Sequence, residues 1–93
     1  MDGQDRVVVS VIGVNRVGIV SKISTVVAEL NASILDISQT LIGDLFSMIM
    51  IIDVAKSNLE FKFLREKIEN AGNEMGVKAI VLHENTFRYM HRV

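Results

Sequence analysis

The chain is predicted to be an α+β protein of the ferredoxin-like βαββαβ kind. That is a four-stranded antiparallel sheet with two helices on one face, plus a short C-terminal helix. Two observations predict it. Strand-like and helix-like runs follow one another in the order strand, helix, strand, strand, helix, strand. The two central runs, Ile34–Ile42 and Leu45–Val54, are separated only by Gly43-Asp44, a glycine-first pair suited to a two-residue hairpin. Right-handed crossovers then place both intervening helices on the same side of the sheet.

In the first strand Val7, Val9 and Val11 share one face, with Arg6, Val8, Ser10 and Ile12 on the other. Both faces are largely apolar in the middle, which fits a central strand. Gly13 and Gly18 punctuate the turn that follows. Ile19–Leu30 reads as a helix with Ile19, Ile23, Val26, Val27 and Leu30 on one stripe. Asn31 is its expected stop, because asparagine tolerates the left-handed conformation. The second strand alternates, Leu35, Ile37 and Leu41 against Asp36, Ser38 and Thr40, with Gln39 interrupting the apolar side. The third carries Phe46, Met48, Met50 and Ile52 on one face. Asn58 is the expected cap of a second helix, Glu60–Met75, whose stripe is Phe61, Leu64, Ile68, Ala71 and Met75. Gly72 is expected to weaken its last turns and Gly76 to end it. Val77–His83 closes the sheet, and Glu84–Val93 is the terminal helix, with Phe87, Tyr89 and Met90 as anchors. The whole is expected to be one domain, residues 1–93, with its core over about 6–83.

Composition narrows the function classes. Ten basic and eleven acidic residues leave a net charge of −1, so broad attraction to nucleic acid or an anionic membrane has little to work with. There is no cysteine, hence no disulfide framework and no thiolate metal site. The two histidines, His83 and His91, have no acidic pair beside them, so neither a metal nor another cofactor is expected. The acidic start MDGQDR lacks the basic-then-apolar layout of a signal peptide, and the apolar run Leu45–Ile52 is too short to span a bilayer. A cytoplasmic location is the expectation. An open sheet face bearing Val8, Ile12 and part of the Leu45–Ile52 run would be a sizeable apolar patch. It is covered either by a second copy in a two-fold homodimer or by the terminal segment folding over it.

The pattern Gly13–Val20, GVNRVGIV, resembles the strand–turn–helix signature of ACT domains, small ligand-binding regulatory modules. Ile34–Thr40 (ILDISQT) and Phe46–Met50 (FSMIM) resemble the second and third strands of the same family, and the likeness runs from about Arg6 to His83. It is strongest to stand-alone ACT proteins of uncharacterised function, and extends to the N-terminal region of formyltetrahydrofolate deformylases and to glycine cleavage system regulators. The resemblance implies a module that binds an amino acid or related small metabolite between two copies. Asn15 matches an asparagine that contacts ligand in better-known members. Ser33 stands where a second such asparagine would be, and Gly13 where some serine-binding members carry histidine. Backbone contacts at Arg16, Val17, Gly18 and Ile19 do not depend on side-chain identity.

The residues themselves allow two readings at each of these places. A strand-to-helix turn aims unpaired N–H groups and a helix dipole at one spot, a seat for a carboxylate. Asn15 is either a ligand contact or a turn former, and Arg16 either clamps a carboxylate or is simply solvated. Asp36, with Ser38, Gln39 and Thr40, either faces the ligand or a dimer seam, or forms the wet face of an outer strand. An acylphosphatase-like enzyme would use the same turn and an arginine, but also an asparagine to orient water, and Leu45–Val54 has none. RNA recognition needs strand aromatics, and only Phe46 qualifies. The expectation is a small-molecule sensor rather than a catalyst, with a purely structural interaction module as the alternative.

Overall fold

The computed structural model describes residues 5–90. Its elements are β1 (Arg6–Val14), α1 (Ile19–Glu29), β2 (Ser33–Ile42), β3 (Leu45–Asp53), α2 (Phe61–Glu74), β4 (Lys78–His83) and α3 (Glu84–Met90). The strands form one antiparallel sheet in the order β2-β3-β1-β4, the expected ferredoxin-like arrangement. Ile42 pairs with Leu45, so Gly43-Asp44 is the two-residue hairpin loop. Asn31 takes the left-handed conformation at φ 60° and ends the first helical segment as expected.

The core lies between α1, α2 and one sheet face. Val7, Val9 and Val11 of β1 meet Phe46, Met48, Met50 and Ile52 of β3 and Ala79 and Val81 of β4. Ile19, Ile23, Val27, Leu64 and Ile68 close it from above. Each such aliphatic side chain contributes roughly 1.5–3 kcal/mol on full burial. Gly72 has a different part from the one its helix propensity suggests. A methyl group there would lie 2.8 Å from Ala79 Cβ, so glycine lets α2 seat closely on β4. Asn58 does not cap α2. The cap position is Glu60, without a side-chain hydrogen bond, and Ser57 Oγ instead accepts the Leu59 N–H at 3.4 Å.

β2 departs most from its pattern. Its alternation suggests one buried face, yet all ten residues are exposed, Leu35, Ile37 and Leu41 included. The reason is its place at the sheet edge, where neither helix reaches far enough to cover it. A register shift between Ile34 and Asp36 adds a bulge near its start.

Of the two expected covers, the terminal segment lies over part of the open face. α3 lies over one end, where Val8 is only 2% exposed, while Ile12, Ile49 and Ile80 stay open. Glu84 at the start of α3 is the one buried charged residue among those described, paired with Arg6 at 3.7 Å and Arg88 at 3.3 Å. A hollow of about 360 Å³ beside it is floored by Val8 and Ile51 and walled by Phe87. The last three residues of the expected terminal helix, 91–93, lie outside the described residues.

Candidate functional site

β1 ends at Val14 and α1 begins at Ile19, so four residues, Asn15 to Gly18, make the whole connection. Gly18 occupies the cap position at φ 90°, a backbone angle that favours glycine. The Lys22 N–H donates to the Gly18 carbonyl at 2.9 Å, the first bond of the helix. The N–H groups of Ile19, Val20 and Ser21 therefore precede any intrahelical partner. No side chain caps them and no acidic residue stands in the first turn, so the positive end of α1 is unneutralised by its own sequence. The Asn15 N–H has another task. It donates to the Asp44 carbonyl at 2.8 Å and ties the turn to the β2–β3 hairpin.

The turn rests on the corner between α2 and β4. A methyl group at Gly13 would come within 2.8 Å of Val77 Cγ1 and 3.1 Å of its Cα, so no side chain fits there. Gly18 lies against the Met75 methyl. The Arg16 guanidinium lies along Gly76, which has φ 73°; a Cβ added there would sit 3.5 Å from Arg16 Nε. Lys22, one turn into α1, is drawn away by Glu74, with Nζ to Oε1 at 2.8 Å. That hydrogen bond, and then the charge of Glu74, hold the Lys22 amine above its ordinary value of 10.5.

In front of the turn is a cavity of about 300 Å³. Asn15, Arg16, Ser21 and Gln39 give it polar groups, and Ile19, Leu41 and Phe46 its apolar wall. Gln39 pairs with Met48 and Leu41 with Phe46, so both β2 residues project on the helix side of the sheet. Of the residues picked from sequence, Asn15, Arg16, Gly18 and Ile19 come together here, and Val17 stands fully exposed at the tip of the turn. Ser33 is at the far end of β2, paired with Asp53, in a separate hollow with Asn31 and Lys56. Asp36 pairs with Ile51 on the face away from the helices, and its Oδ1 accepts the Ile37 N–H at 2.8 Å. Ser21, Leu41 and Phe46 line the cavity without being singled out as site residues from sequence, while Gln39, of the polar β2 group read as facing either a ligand or a seam, is the member that reaches it. The interruption of an apolar strand face is the signal that points to Gln39. His83 stacks on Phe61 with ring centroids 4.0 Å apart, which places it away from this cavity.

Comparison with known proteins agrees with this architecture. The ACT domain model matches residues 5–81. A UPF0237 protein from Methanocaldococcus jannaschii is 56% identical over 88 residues, covering 95% of this chain and 98% of its own. Among solved structures, an ACT domain protein from Streptococcus pneumoniae superposes with a TM-score of 0.77 at 30% identity, covering 88% of this chain and 92% of that one. A formyltetrahydrofolate deformylase from Burkholderia mallei shares the fold at a TM-score of 0.74 and 10% identity, over 85% of this chain and 28% of its own.

Proposed function

The chain belongs to the ACT domain family, and from that premise we propose that it is a regulatory module that binds a small anionic metabolite, an amino acid or a relative of one, without catalysing its conversion. The cavity at the first strand–helix turn carries this reading. It joins an uncapped helix N-terminus, Arg16 and an apolar wall within about 300 Å³. That is the low end of the size range of small-molecule sites. The ligand's anionic group lies against the N–H groups of Ile19–Ser21 and the Arg16 fork, and Asn15 offers both a donor and an acceptor.

The module works as a homodimer joined through β2. The support is a ten-residue edge strand with every residue exposed, including Ile37 and Leu41. A bare edge of that length presents a row of backbone groups ready to pair. Two-fold, antiparallel pairing of β2 with β2 sets Ser33 of a second copy near Leu41 and Ile42, beside the Asn15 turn. That brings the Ser33 end of one copy to the Asn15 end of the other, with Ser33 and Asp36 on the sheet face away from the helices at the seam. Ligand binding favours one association state over another through its differential affinity for the two.

Sedimentation velocity with and without candidate metabolites tests both parts. The expected result is a dimer whose self-association responds to ligand, with Ile37→Asp sedimenting as a single subunit. A lone subunit in the unsubstituted protein, indifferent to every amino acid and organic acid tried, would end the proposal.

A further inference from the structure

α3 is attached differently from α1 and α2. α1 buries Ile19, Ile23 and Val27, and α2 buries Leu64, Ile68, Ala71 and Gly72. The one buried residue of α3 is an ion, Glu84, with its side chain 8% exposed. Phe87 is half-buried, while Tyr89 and Met90 are 73% and 62% exposed. The helix does not pack flush on the sheet either, because Val8, Ile51, Glu84, Phe87 and Arg88 line the hollow of about 360 Å³. Glu84 Oε2 lies 3.7 Å from Arg6 Nη1 on β1 and accepts from Arg88 Nη2 at 3.3 Å within α3 itself. At 3.7 Å the contact with β1 is an ion pair without a hydrogen bond, and the buried Arg6 Nε has no hydrogen-bond partner among the described residues.

Seven residues make a helix too short to be stable without its contacts. We propose that α3 is a releasable strap on the sheet face away from α1 and α2, pinned by the Arg6–Glu84 pair. An apolar contact weakens by degrees as a helix shifts, whereas removing one member of a shielded ion pair leaves the other charge uncompensated. The pin is therefore the point at which the strap gives way. His83 ends β4 and Glu84 begins α3, so pin and hinge are adjacent in the chain. Closed, the strap keeps Val8 at 2% exposure. Val8 sits between Ile51 of β3 and Leu82 of β4 in one row across the sheet. Released, α3 uncovers that row and joins it to Ile12, Ile49 and Ile80, which are already exposed, so the bare apolar surface extends along β1 from Val8 to Val14. The two forms are populations of one molecule, and whatever favours either of them sets how much of this face meets water. The cavity at the first turn lies on the helix side of the sheet, so the strap stands independently of the binding reading.

Hydrogen–deuterium exchange of the full chain, resolved by peptide, tests the pin. In Glu84→Gln and in Arg6→Met, the amides of residues 88–90 are expected to exchange about tenfold faster than in the unsubstituted protein, with those of β1 and β3 within about twofold. Arg6→Met combined with Glu84→Leu replaces the ions by apolar groups and is expected to return exchange to within about threefold of the parent. The chain has no cysteine, so Val8→Cys supplies a single reporter thiol. Its alkylation by iodoacetamide is expected to be about tenfold faster when Glu84→Gln is added. Unchanged exchange at 88–90 in both single variants overturns the proposal, and unchanged alkylation overturns the uncovering of Val8. Equal acceleration in β1 and β3 also overturns it, because Glu84 then belongs to the global fold. A double variant as fast as the single ones overturns the ion pair as the pin.

Discussion

The first two strand-to-helix corners of the molecule are finished differently. The second, between β3 and α2, closes on itself. Asp53 Oδ1 accepts the Ala55 N–H at 2.8 Å, the Val54 carbonyl accepts the Ser57 N–H at 3.0 Å, and Asn31 Nδ2 donates to the Lys56 carbonyl at 2.8 Å. The first, between β1 and α1, has four residues and no side-chain cap, and its cation lies along a neighbouring glycine. Neither corner is loosely held, since the first is backed by Met75, Gly76 and Val77. Neither helix has a side-chain cap; the difference is that the loop N–H groups of the second corner are engaged by Asp53 and Ser57, while the first corner leads directly to α1 donors beside a cavity. A rigid backing with unengaged donors in front is the arrangement that a binding site requires, because donors already in place lose little freedom when a ligand arrives.

The largest expected effect bears on the backing. Gly13→Ala forces a methyl group into Val77 and should cost about 1–3 kcal/mol of stability through overpacking. Urea unfolding measures it, and an unchanged midpoint would mean that the first corner is not clamped as described. Next is Arg16→Gln, an exposed site whose loss should leave stability within about 0.5 kcal/mol. It should nevertheless weaken binding of a carboxylate ligand about tenfold, or about 1.4 kcal/mol, by titration calorimetry. Asp53→Ala gives the complementary result at the second corner. Loss of its bond to Ala55 should cost roughly 0.5–1.5 kcal/mol in the same urea experiment, with ligand affinity unchanged. If Asp53→Ala weakened binding as much as Arg16→Gln, the two corners would not be functionally distinct. The smallest effect is at Lys22. Its folded value is raised above 10.5 by Glu74, so the stability from this pair is fully present below 10.5 and is lost as pH rises through the raised value. Lys22→Met should therefore match the parent protein's melting temperature more closely at strongly alkaline pH than at pH 7.

Much of this was legible from local pattern. The alternation in β1 and β3 and the helical stripes Ile19–Ile23–Val27 and Leu64–Ile68–Ala71 report the faces that become the core. Asn31 and Gly76 mark the chain reversals where left-handed backbone is needed. The first turn was legible as a candidate site for the same reason, since its donors follow from a strand running straight into a helix. What pattern did not carry is coverage. β2 alternates like a half-buried strand, but its burial depends on how far two helices extend sideways, which no property of Ser33–Ile42 encodes. The ion pair of Glu84 with Arg6 also joins segments distant in sequence. Gln39 lay between these cases. Its polarity broke the pattern visibly, and only the fold brought it opposite Arg16 and Ser21.

Gln39 and Leu41 belong at once to the wall of the cavity and to the strand left bare at the sheet margin. Whatever lies along that strand therefore reshapes the cavity from outside, and whatever fills the cavity stiffens the strand. A dose–response curve recorded on this protein should then slide with the amount of protein in the cell of the instrument. Affinities taken at nanomolar and at high micromolar chain would describe two different receptors.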